Sequence, residues 1–347
     1  MSTERGRIRI TGFDPQRVEQ RDPLSDWGAE EEYSPAESRF VRAWRRFKRN
    51  RTAMLGLVVV VVMVLLAVFA KPITVFDIPV QPIGLAPHDE TQRLFLYPEY
   101  DVSPYDPPSL EHPMGINGRG QDIFSRILVG GRYSMSIGFV VVGITLTVGV
   151  AVGSIAGYYG GWIDEILMRI LDVVFAFPGL VLALVIIAML GGGYWQLVLA
   201  FTLPGWAGYA RLIRGEILSV KENEYVLAAR ALGAKDRGII IRHVIPNAIP
   251  PVIVQATLAA GTVVIGVAAL GFLGLGMPAD SAEWGTQLDQ ALETLVQGPE
   301  GDIPWWATVY PGAAIFIFVM AVNMIGDGIN DAFDAQAGDV QVQGGGG

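Results

Sequence analysis

The chain has 347 residues, of which 51% are apolar and 17% charged, and its mean hydropathy is +0.41. Water-soluble domains carry about 25% charged residues, so this composition excludes an ordinary soluble fold. The 25 basic and 34 acidic residues give a formal net charge of −9, which excludes a basic nucleic-acid binder because the phosphate backbone would be repelled. The chain has no cysteine, which excludes disulfides, thiolate catalysis and cysteine zinc sites.

The N-terminal region divides into two parts. Residues 1–38 are polar and of mixed charge, which is typical of a mobile cytoplasmic arm. Residues 39–52 form a basic amphipathic juxtamembrane segment, in which apolar side chains such as Trp44 and Phe47 are interleaved with arginine and lysine. This pattern predicts a helix that lies against anionic lipid headgroups. Docking to a partner protein is the alternative interpretation.

Charge-free apolar runs locate the membrane spans, because a spanning helix needs about 20 mostly apolar residues. The runs are residues 52–70, 133–163, 173–210, 243–279 and 303–326. The third run is long enough for two spans, and the glycines at 191–193 mark a turn at its middle. The sequence therefore predicts an all-α membrane protein with six transmembrane helices, the first of them at 53–70.

The distribution of basic residues predicts the orientation. Twelve lie in 1–52 and seven in 211–242, whereas 276–307 contains six acids and no base. Cytoplasmic flanks keep an excess of Lys and Arg, so both basic segments and both termini are predicted to lie on the cytoplasmic side of the plasma membrane. The remaining divisions are an extracellular segment at 71–132, a five-helix core at 133–326 with a cytoplasmic loop at 212–247, and a cytoplasmic acidic tail at 327–347. This acidic balance resembles that of proteins from salt-loving microbes, and a mildly acidic mesophile surface is the alternative.

A short outer helix is predicted just before the second span. Ile123, Phe124, Ile127 and Leu128 recur at helical spacing after Asp122, a residue type that caps helix N-termini. We expect this helix to lie near the outer membrane surface and to lead into the span.

The loop at 212–247 is predicted to contain two short helices that meet at Gly233. Asn223 is placed to cap the first helix, and Ala228, Ala229, Ala231 and Leu232 give it a slim apolar face that fits a groove. Gly233 stands where a helix C-cap is expected. The second helix is predicted to run from Ala234 to Ile245 and to be broken by Pro246.

This loop resembles the coupling loop, or EAA motif, of ABC-transporter permeases. Ala229, Gly233 and Pro246 match the spacing of its alanine pair, glycine and proline, while Leu227 replaces its glutamate. The role of that acid is therefore absent here or is taken over by Glu222 or Glu224. The resemblance implies that the residues contacting an ATPase are Ala228, Ala229, Leu232, Gly233, Asp236, Arg237 and Pro246.

Other stretches resemble the dipeptide, oligopeptide and nickel permeases, specifically the C-terminal member of the usual pair of subunits. The outer element of that family matches at His112, Pro113, Gly115, Gly120, Asp122, Ser125 and Arg126. Ile116, Asn117 and Gln121 stand where the family pattern has Thr, Asp and Arg. Further matches occur at 160–164, 168–172, Pro178 and 323–328.

The resemblance implies the type I ABC importer permease fold and several partners. These are a homologous second permease, two ABC ATPases and an extracellular solute-binding protein, all acting at a lipid bilayer and without nucleic acid. ATP and Mg would bind the ATPase subunits, and no cofactor is expected on this chain. A self-sufficient channel or an ion-coupled secondary carrier is the alternative function.

No catalytic constellation is found in the sequence. A Gly-x-x-x-x-Gly-Lys phosphate loop, a His-Glu-x-x-His motif and a Gly-x-Ser-x-Gly motif are all absent, so the chain is predicted to be a transport subunit and not an enzyme. His88, His112 and His243 lie on different segments, and no metal site is predicted. Arg169 and Asp172 stand one helical turn apart and predict an interfacial ion pair.

Overall fold

The computed structural model describes residues 39–75, 78–297 and 303–344, so the predicted arm at 1–38 lies outside the described residues. The architecture is mostly helical, as predicted, with one small β-hairpin after the first span. The helices are α1 (Arg39–Phe47), α2 (Arg51–Phe69), α3 (Ile123–Tyr159), α4 (Gly161–Phe175), α5 (Gly179–Leu190), α6 (Tyr194–Val220), α7 (Glu224–Ala231), α8 (Asp236–Ile239), α9 (Ile245–Ala248), α10 (Pro250–Phe272), α11 (Trp284–Gln297) and α12 (Trp306–Gly344). The antiparallel hairpin strands are β1 (Ile73–Val75) and β2 (Ile78–Gln81).

Within the described residues, four helices are long and apolar enough to cross a membrane: α2, α3, α10 and the Trp306–Phe333 part of α12. The pair α4 and α5 passes the same test jointly, although the two helices meet at 78°. Helix α6 has 27 residues but carries Arg211, Arg214 and Glu216, which lower its hydropathy. By length and composition, the described residues therefore contain four candidate spans, or five if the bent pair forms one span. The count of six stays a prediction.

The break between α4 and α5 lies inside the third predicted apolar run. That run starts at 173, whereas α4 ends at Phe175 and α5 begins at Gly179. Pro178 has no backbone N–H and disfavours the helical region for Phe177, so the chain turns at this point. A search for charge-free runs could not find this break, because proline is uncharged.

Helix α3 is longer than the predicted second span at 133–163. It begins at Ile123, so the predicted outer helix forms its first turns and is not a separate element. Its 37 residues correspond to about 55 Å, well beyond the roughly 30 Å of the hydrocarbon core. This one helix is therefore long enough to cross the hydrocarbon core and to extend beyond it. Helix α12 likewise continues past residue 326, the predicted end of the sixth span.

Glycines on one face of α3 allow α6 to approach closely. Gly149, Gly153 and Gly157 recur every four residues, and a Cβ atom built on them would lie 2.5, 2.2 and 3.0 Å from the nearest atoms of α6. The atom nearest to Gly153 is the backbone oxygen of Ala210. Small residues of this kind let helix backbones approach each other in lipid. The packing of α3 on α6 is the central helix contact of the fold.

Helix α11 is an element that the sequence did not predict. The segment 276–307 was expected to be an acidic outer loop, yet Glu283, Thr286, Gln287 and Gln290 are buried in it. The Glu283 carboxylate caps α11 by accepting the backbone N–H of Thr286 at 2.8 Å, and it also accepts the Ser134 hydroxyl of α3 at 3.0 Å. Burial raises the pKa of Glu283, and hydrogen bonds from the Gly285 and Thr286 backbone and from Ser134 oppose that rise.

Replacement of Gly153 by alanine tests the α3–α6 contact. The added methyl group would meet the Ala210 carbonyl, so we expect a loss of about 1–3 kcal/mol in the free energy of unfolding, measured on the purified protein in detergent. Gly143→Ala is the matched control on the same helix, because no described atom lies within 4 Å of its added Cβ. Equal unfolding free energies for the two variants would contradict the packing assignment.

Candidate functional site

The predicted functional residues lie near opposite ends of α3. The outer element, residues 112–126, precedes this helix and forms its first turn. The coupling segment, residues 221–247, packs beside its last turn at Tyr158. The two groups are therefore separated by about the length of a 37-residue helix, roughly 55 Å, and form two sites joined by one element.

Asp122 organises the outer element. One of its carboxylate oxygens accepts the backbone N–H of Ser125 at 2.8 Å and the Ser125 hydroxyl at 2.7 Å, which confirms the predicted N-cap. The other carboxylate oxygen lies 3.0 Å from the Nδ1 atom of His112. The hydroxyl of Ser125 also accepts the backbone N–H of His88 at 3.1 Å. All four residues are held in one polar cluster, and three of them belong to the predicted motif.

Arg126 is fully buried and connects three outer segments. Its guanidinium donates to the Glu90 carbonyl at 2.7 Å, to the Ser281 carbonyl at 2.6 Å and to the Gln290 side chain at 3.3 Å. Buried charge is tolerated only with such partners. Arg126 therefore ties the chain before α3 to the loop that leads into α11.

Two glycines of the outer motif have backbone conformations that explain their identity. Gly115 has φ +76° and Gly120 has φ +73°, and a Cβ at Gly120 would lie 2.2 Å from the Phe95 ring.

The departures from the family pattern lie together, since the Asn117 amide donates to the Gln121 side chain at 3.0 Å. A neutral amide pair thus occupies the two positions where the pattern has Asp and Arg. Pro113 is exposed.

The coupling segment bends at Gly233, as predicted. Gly233 has φ +80° two residues after the end of α7, and no described atom lies within 4 Å of a Cβ built on it. Leu232, next to the bend, is 88% exposed, and Leu227 is half-exposed. Ala228, Asp236 and Arg237 are exposed as well, whereas Ala229 packs partly against the core. Ala228 is thus open to a partner on the isolated chain, Ala229 is partly covered by the core, and the partner contacts of both alanines stay predictions.

The second predicted helix differs from the structure. Instead of an α-helix over 234–245, helix α8 covers Asp236–Ile239, a π-helical turn covers Ile240–Val244, and α9 follows. Pro246 does not break a helix but sits in the first turn of α9, where its missing N–H is harmless. Asn223 occupies the N-cap position of α7, but its described side chain makes no capping hydrogen bond.

Polar contacts fasten the coupling segment to the end of α3. The Tyr158 hydroxyl donates to the Asp236 carboxylate at 2.6 Å, and the Arg230 guanidinium donates to the same hydroxyl at 3.4 Å. The Lys221 ammonium donates to the Gly157 carbonyl at 2.9 Å. Sequence reasoning missed Tyr158 and Lys221, because contacts between residues 78 and 64 positions apart leave no local pattern.

Apolar contacts complete this attachment. Val226, Ile239 and Val244 of the coupling segment are fully buried in one cluster with Ile213 and Ile217 of α6. The segment therefore combines an exposed outer surface with an inner surface that packs against α6 and is hydrogen-bonded to α3.

Two ion pairs connect α4 to α6. Arg214 donates to both carboxylate oxygens of Asp164, at 2.5 and 2.6 Å, and Arg211 lies 2.7 Å from Asp172. The predicted pairing of Asp172 with Arg169 is wrong, because Arg211 reaches it from the neighbouring helix.

The outer histidines show no metal-site geometry. The rings of His88 and His112 come together with centroids 5.3 Å apart, which their positions in the sequence did not indicate. Across the described ranges, no three His, Cys, Asp or Glu residues are arranged to hold a metal ion.

Comparison with known proteins gives matches over most of the chain. A family model described as the inner membrane component of binding-protein-dependent transport systems matches residues 149–338. A second model, the N-terminal transmembrane domain of oligopeptide transport permease C, matches residues 38–108. The two models together include α1, α2 and the coupling segment.

Individual relatives extend these matches. The chain is 38% identical over 291 residues to the glutathione transport system permease protein GsiD of Shigella dysenteriae, covering 84% of this chain and 88% of that protein. It is 35% identical over 292 residues to the oligopeptide transport system permease protein OppC of Bacillus subtilis, with the same coverage. A chain of the inward-facing MetNI methionine ABC transporter is similar over 60% of this chain and 96% of its own, with a TM-score of 0.48 and 18% identity.

The outer element is predicted to lose stability in acid through His88. Burial lowers the pKa of His88, with His112 adding to this and Asp122 opposing it, so the folded state disfavours the protonated ring. The stabilising contribution is then complete above the ordinary pKa of about 6.5 and is lost as the pH falls below it. We expect the melting temperature in detergent to fall between pH 8 and 5.5, and to fall less for His88→Gln.

His243→Gln is the control for this experiment, because His243 lies in the coupling segment, away from the outer element. It should keep the pH dependence of the unmodified protein. The same slope of melting temperature against pH in His88→Gln and in the unmodified protein would exclude His88 as the titrating group.

Proposed function

Because the chain belongs to the family of inner membrane components of binding-protein-dependent transport systems, we propose that it is the transmembrane permease subunit of an ATP-driven importer of di- or oligopeptides. Support for the substrate class comes from the relatives, whose names specify glutathione and oligopeptide transport. Both substrates are built from amino acids joined by amide bonds. A peptide is therefore the chemical class that these relatives share.

The observation that carries the proposal is the exposed surface at the Gly233 bend. Leu232 is 88% exposed and lies beside Ala228, on a segment whose inner side is buried against α6 and bonded to Tyr158 of α3. An exposed apolar side chain on a rigidly held bend suits insertion into a groove of another protein. The partner proposed for this surface is an ABC ATPase, with ATP and Mg bound on that subunit.

The contacts at the coupling segment provide a route for the motion. Closure of two ATPases would displace the Gly233 bend. The Tyr158–Asp236 hydrogen bond would transmit this displacement to α3, and the buried cluster around Val226 would transmit it to α6. Helix α3 continues without a break to Asp122 and the outer element. Binding of ATP would thus shift the outer element, where an extracellular solute-binding protein would deliver the substrate.

A homologous second permease is proposed to complete the path. Helices α4 and α5 and the break between them leave many large apolar side chains exposed, among them Val173, Phe177 and Met189. In a membrane such a surface faces lipid or another helix, and the proposed second permease would cover part of it.

The coupling role is tested by Gly233→Val. A β-branched residue at φ +80° costs about 1–2 kcal/mol locally, which distorts the bend but is too little to unfold the packed helices. Peptide uptake by the complex reconstituted in liposomes should be abolished, and ATPase binding should weaken, while the amount of folded subunit stays normal. Leu227→Glu, which restores the acid of the EAA motif at a half-exposed position, should keep uptake.

Gly238→Val is the matched control, since Gly238 is in the same segment, its φ is not positive and no described atom lies within 4 Å of its added Cβ. It should transport close to normally. Normal uptake by Gly233→Val would refute the coupling assignment and favour a self-sufficient channel or carrier.

The proposed orientation is tested by single cysteines, for which a chain without native cysteine is well suited. Both Ser219 at the end of α6 and Asp280 before α11 are exposed. A membrane-impermeant maleimide should label Ser219→Cys only from the cytoplasm and Asp280→Cys only from outside, as the basic residues predict. Labelling of Asp280→Cys from the cytoplasm would overturn the topology.

A further inference from the structure

A groove lined only by apolar side chains opens at the basic end of the first span. It has a volume of about 350 Å³ and lies between α1, α2, α10 and α12, with Leu57, Ile253 and Ile329 on its walls. This volume is within the range of pockets that bind small molecules, roughly 300–1,000 Å³. None of its lining residues belongs to the coupling segment or to the outer element, so neither of those sites explains it.

Aromatic side chains form the mouth of the groove. The rings of Phe40 and Phe333 meet edge to face with centroids 6.2 Å apart, and Trp44 stacks on Phe47 at 5.6 Å. Phe40 and Trp44 remain 46% and 51% exposed. Trp at such a position is typical of the membrane interface, where the ring has an apolar body and a polar tip.

The charge beside the mouth is strongly positive. Residues 39–51 contain seven basic residues and no acid, and the side chains of Arg42, Lys48 and Arg49 are exposed. The Lys48 ammonium lies 5.1 Å from the Trp44 ring centroid, which keeps this cation at the mouth. On the facing helix, the Asp331 carboxylate accepts a hydrogen bond from Asn50 at 3.1 Å and keeps its negative charge, so the seven basic residues outnumber this acid. An anionic group would therefore be attracted to this rim.

The depth of the groove matches a lipid that crosses the interface. Helix α2 begins at Arg51, and Leu57 lies six residues further, or about 9 Å along the helix axis. Interfacial helices lie roughly 5–10 Å deep, at the boundary between headgroups and acyl chains. The basic rim is thus at headgroup level, while the apolar walls extend into the acyl region.

We propose that this groove binds one anionic phospholipid, with an acyl chain between α1, α2 and α12 and the phosphate at Lys48, which lies over the Trp44 ring, and Arg49, which lies beside Ala332. The bound lipid would fill the space between α1 and the spans and fix the angle at which α1 leaves the membrane surface. Charge complementarity selects the anionic headgroup, and the wholly apolar lining selects the chain. The site does not depend on the proposed transport function.

Photo-crosslinking of the full chain in lipid nanodiscs tests this site. The probes are phosphatidylglycerol and phosphatidylcholine with the same diazirine-bearing acyl chain, and the adducts are located by peptide mass spectrometry. Adducts at Leu57 and Ile329 should form with about fivefold higher yield from phosphatidylglycerol. Val61 and Leu65, exposed on the same helix α2, are the internal control and should react equally with both lipids.

Charge variants identify the rim. Lys48→Gln combined with Arg49→Gln should remove the preference for phosphatidylglycerol at Leu57 and Ile329. Lys235→Gln combined with Arg237→Gln removes the same charge from the coupling segment and should leave the preference intact. Loss of preference in both double variants would show an effect of net charge and overturn the site.

Two other outcomes also overturn the proposal. Equal yields from the two lipids would mean that the groove holds bulk acyl chains without headgroup selection. No adduct from either lipid would mean that protein covers the groove, for example residues 1–38 or a partner subunit. The crosslinking assay needs neither ATP nor substrate. A negative result in this assay is therefore distinct from a failure of the proposed transport function.

Discussion

The close approach of α3 and α6 is the constraint on which the rest of the structure depends. Lipid offers no hydrophobic driving force between helices, so association relies on tight packing. Gly149, Gly153 and Gly157 provide it by leaving no room for a Cβ atom. The outer element begins α3, and the coupling segment follows α6 and bonds to Tyr158. Both candidate sites therefore take their positions from this one helix pair.

The two ends of that pair are stabilised differently. On the outer side, buried polar groups such as Arg126 and Glu283 connect α3 to the loop before α11, and buried polar groups are costly to separate from their partners. Where the coupling segment lies, exposed ion pairs such as Arg211–Asp172 contribute little, and apolar burial holds the segment. The proposed ATPase contact is thus on the side where apolar burial contributes most to holding the chain in place.

Local signals explain what could be predicted from the sequence. The Asp122 cap and the Gly233 bend each follow from residue type and spacing, and the structure contains both, whereas the apolar runs locate candidate spans without fixing their number. Helix α11 could not be predicted, because Gln287 and Gln290 look solvent-exposed until their partners on distant segments are known. Asp172 was paired with a neighbour in sequence, although its partner lies on α6. Pro178 and Pro246 had opposite effects, since one separates two helices and the other begins one.

The burial of α11 has a consequence for how the chain is assembled in the membrane. Its helix is too polar to enter lipid alone, and its cap Glu283 needs the hydroxyl of Ser134 on α3. The preceding Ala282 carbonyl and the following Gly285 fit only against Gly130 of α3 and Ala268 of α10. The seat of this helix therefore exists only where α3 and α10 already lie side by side.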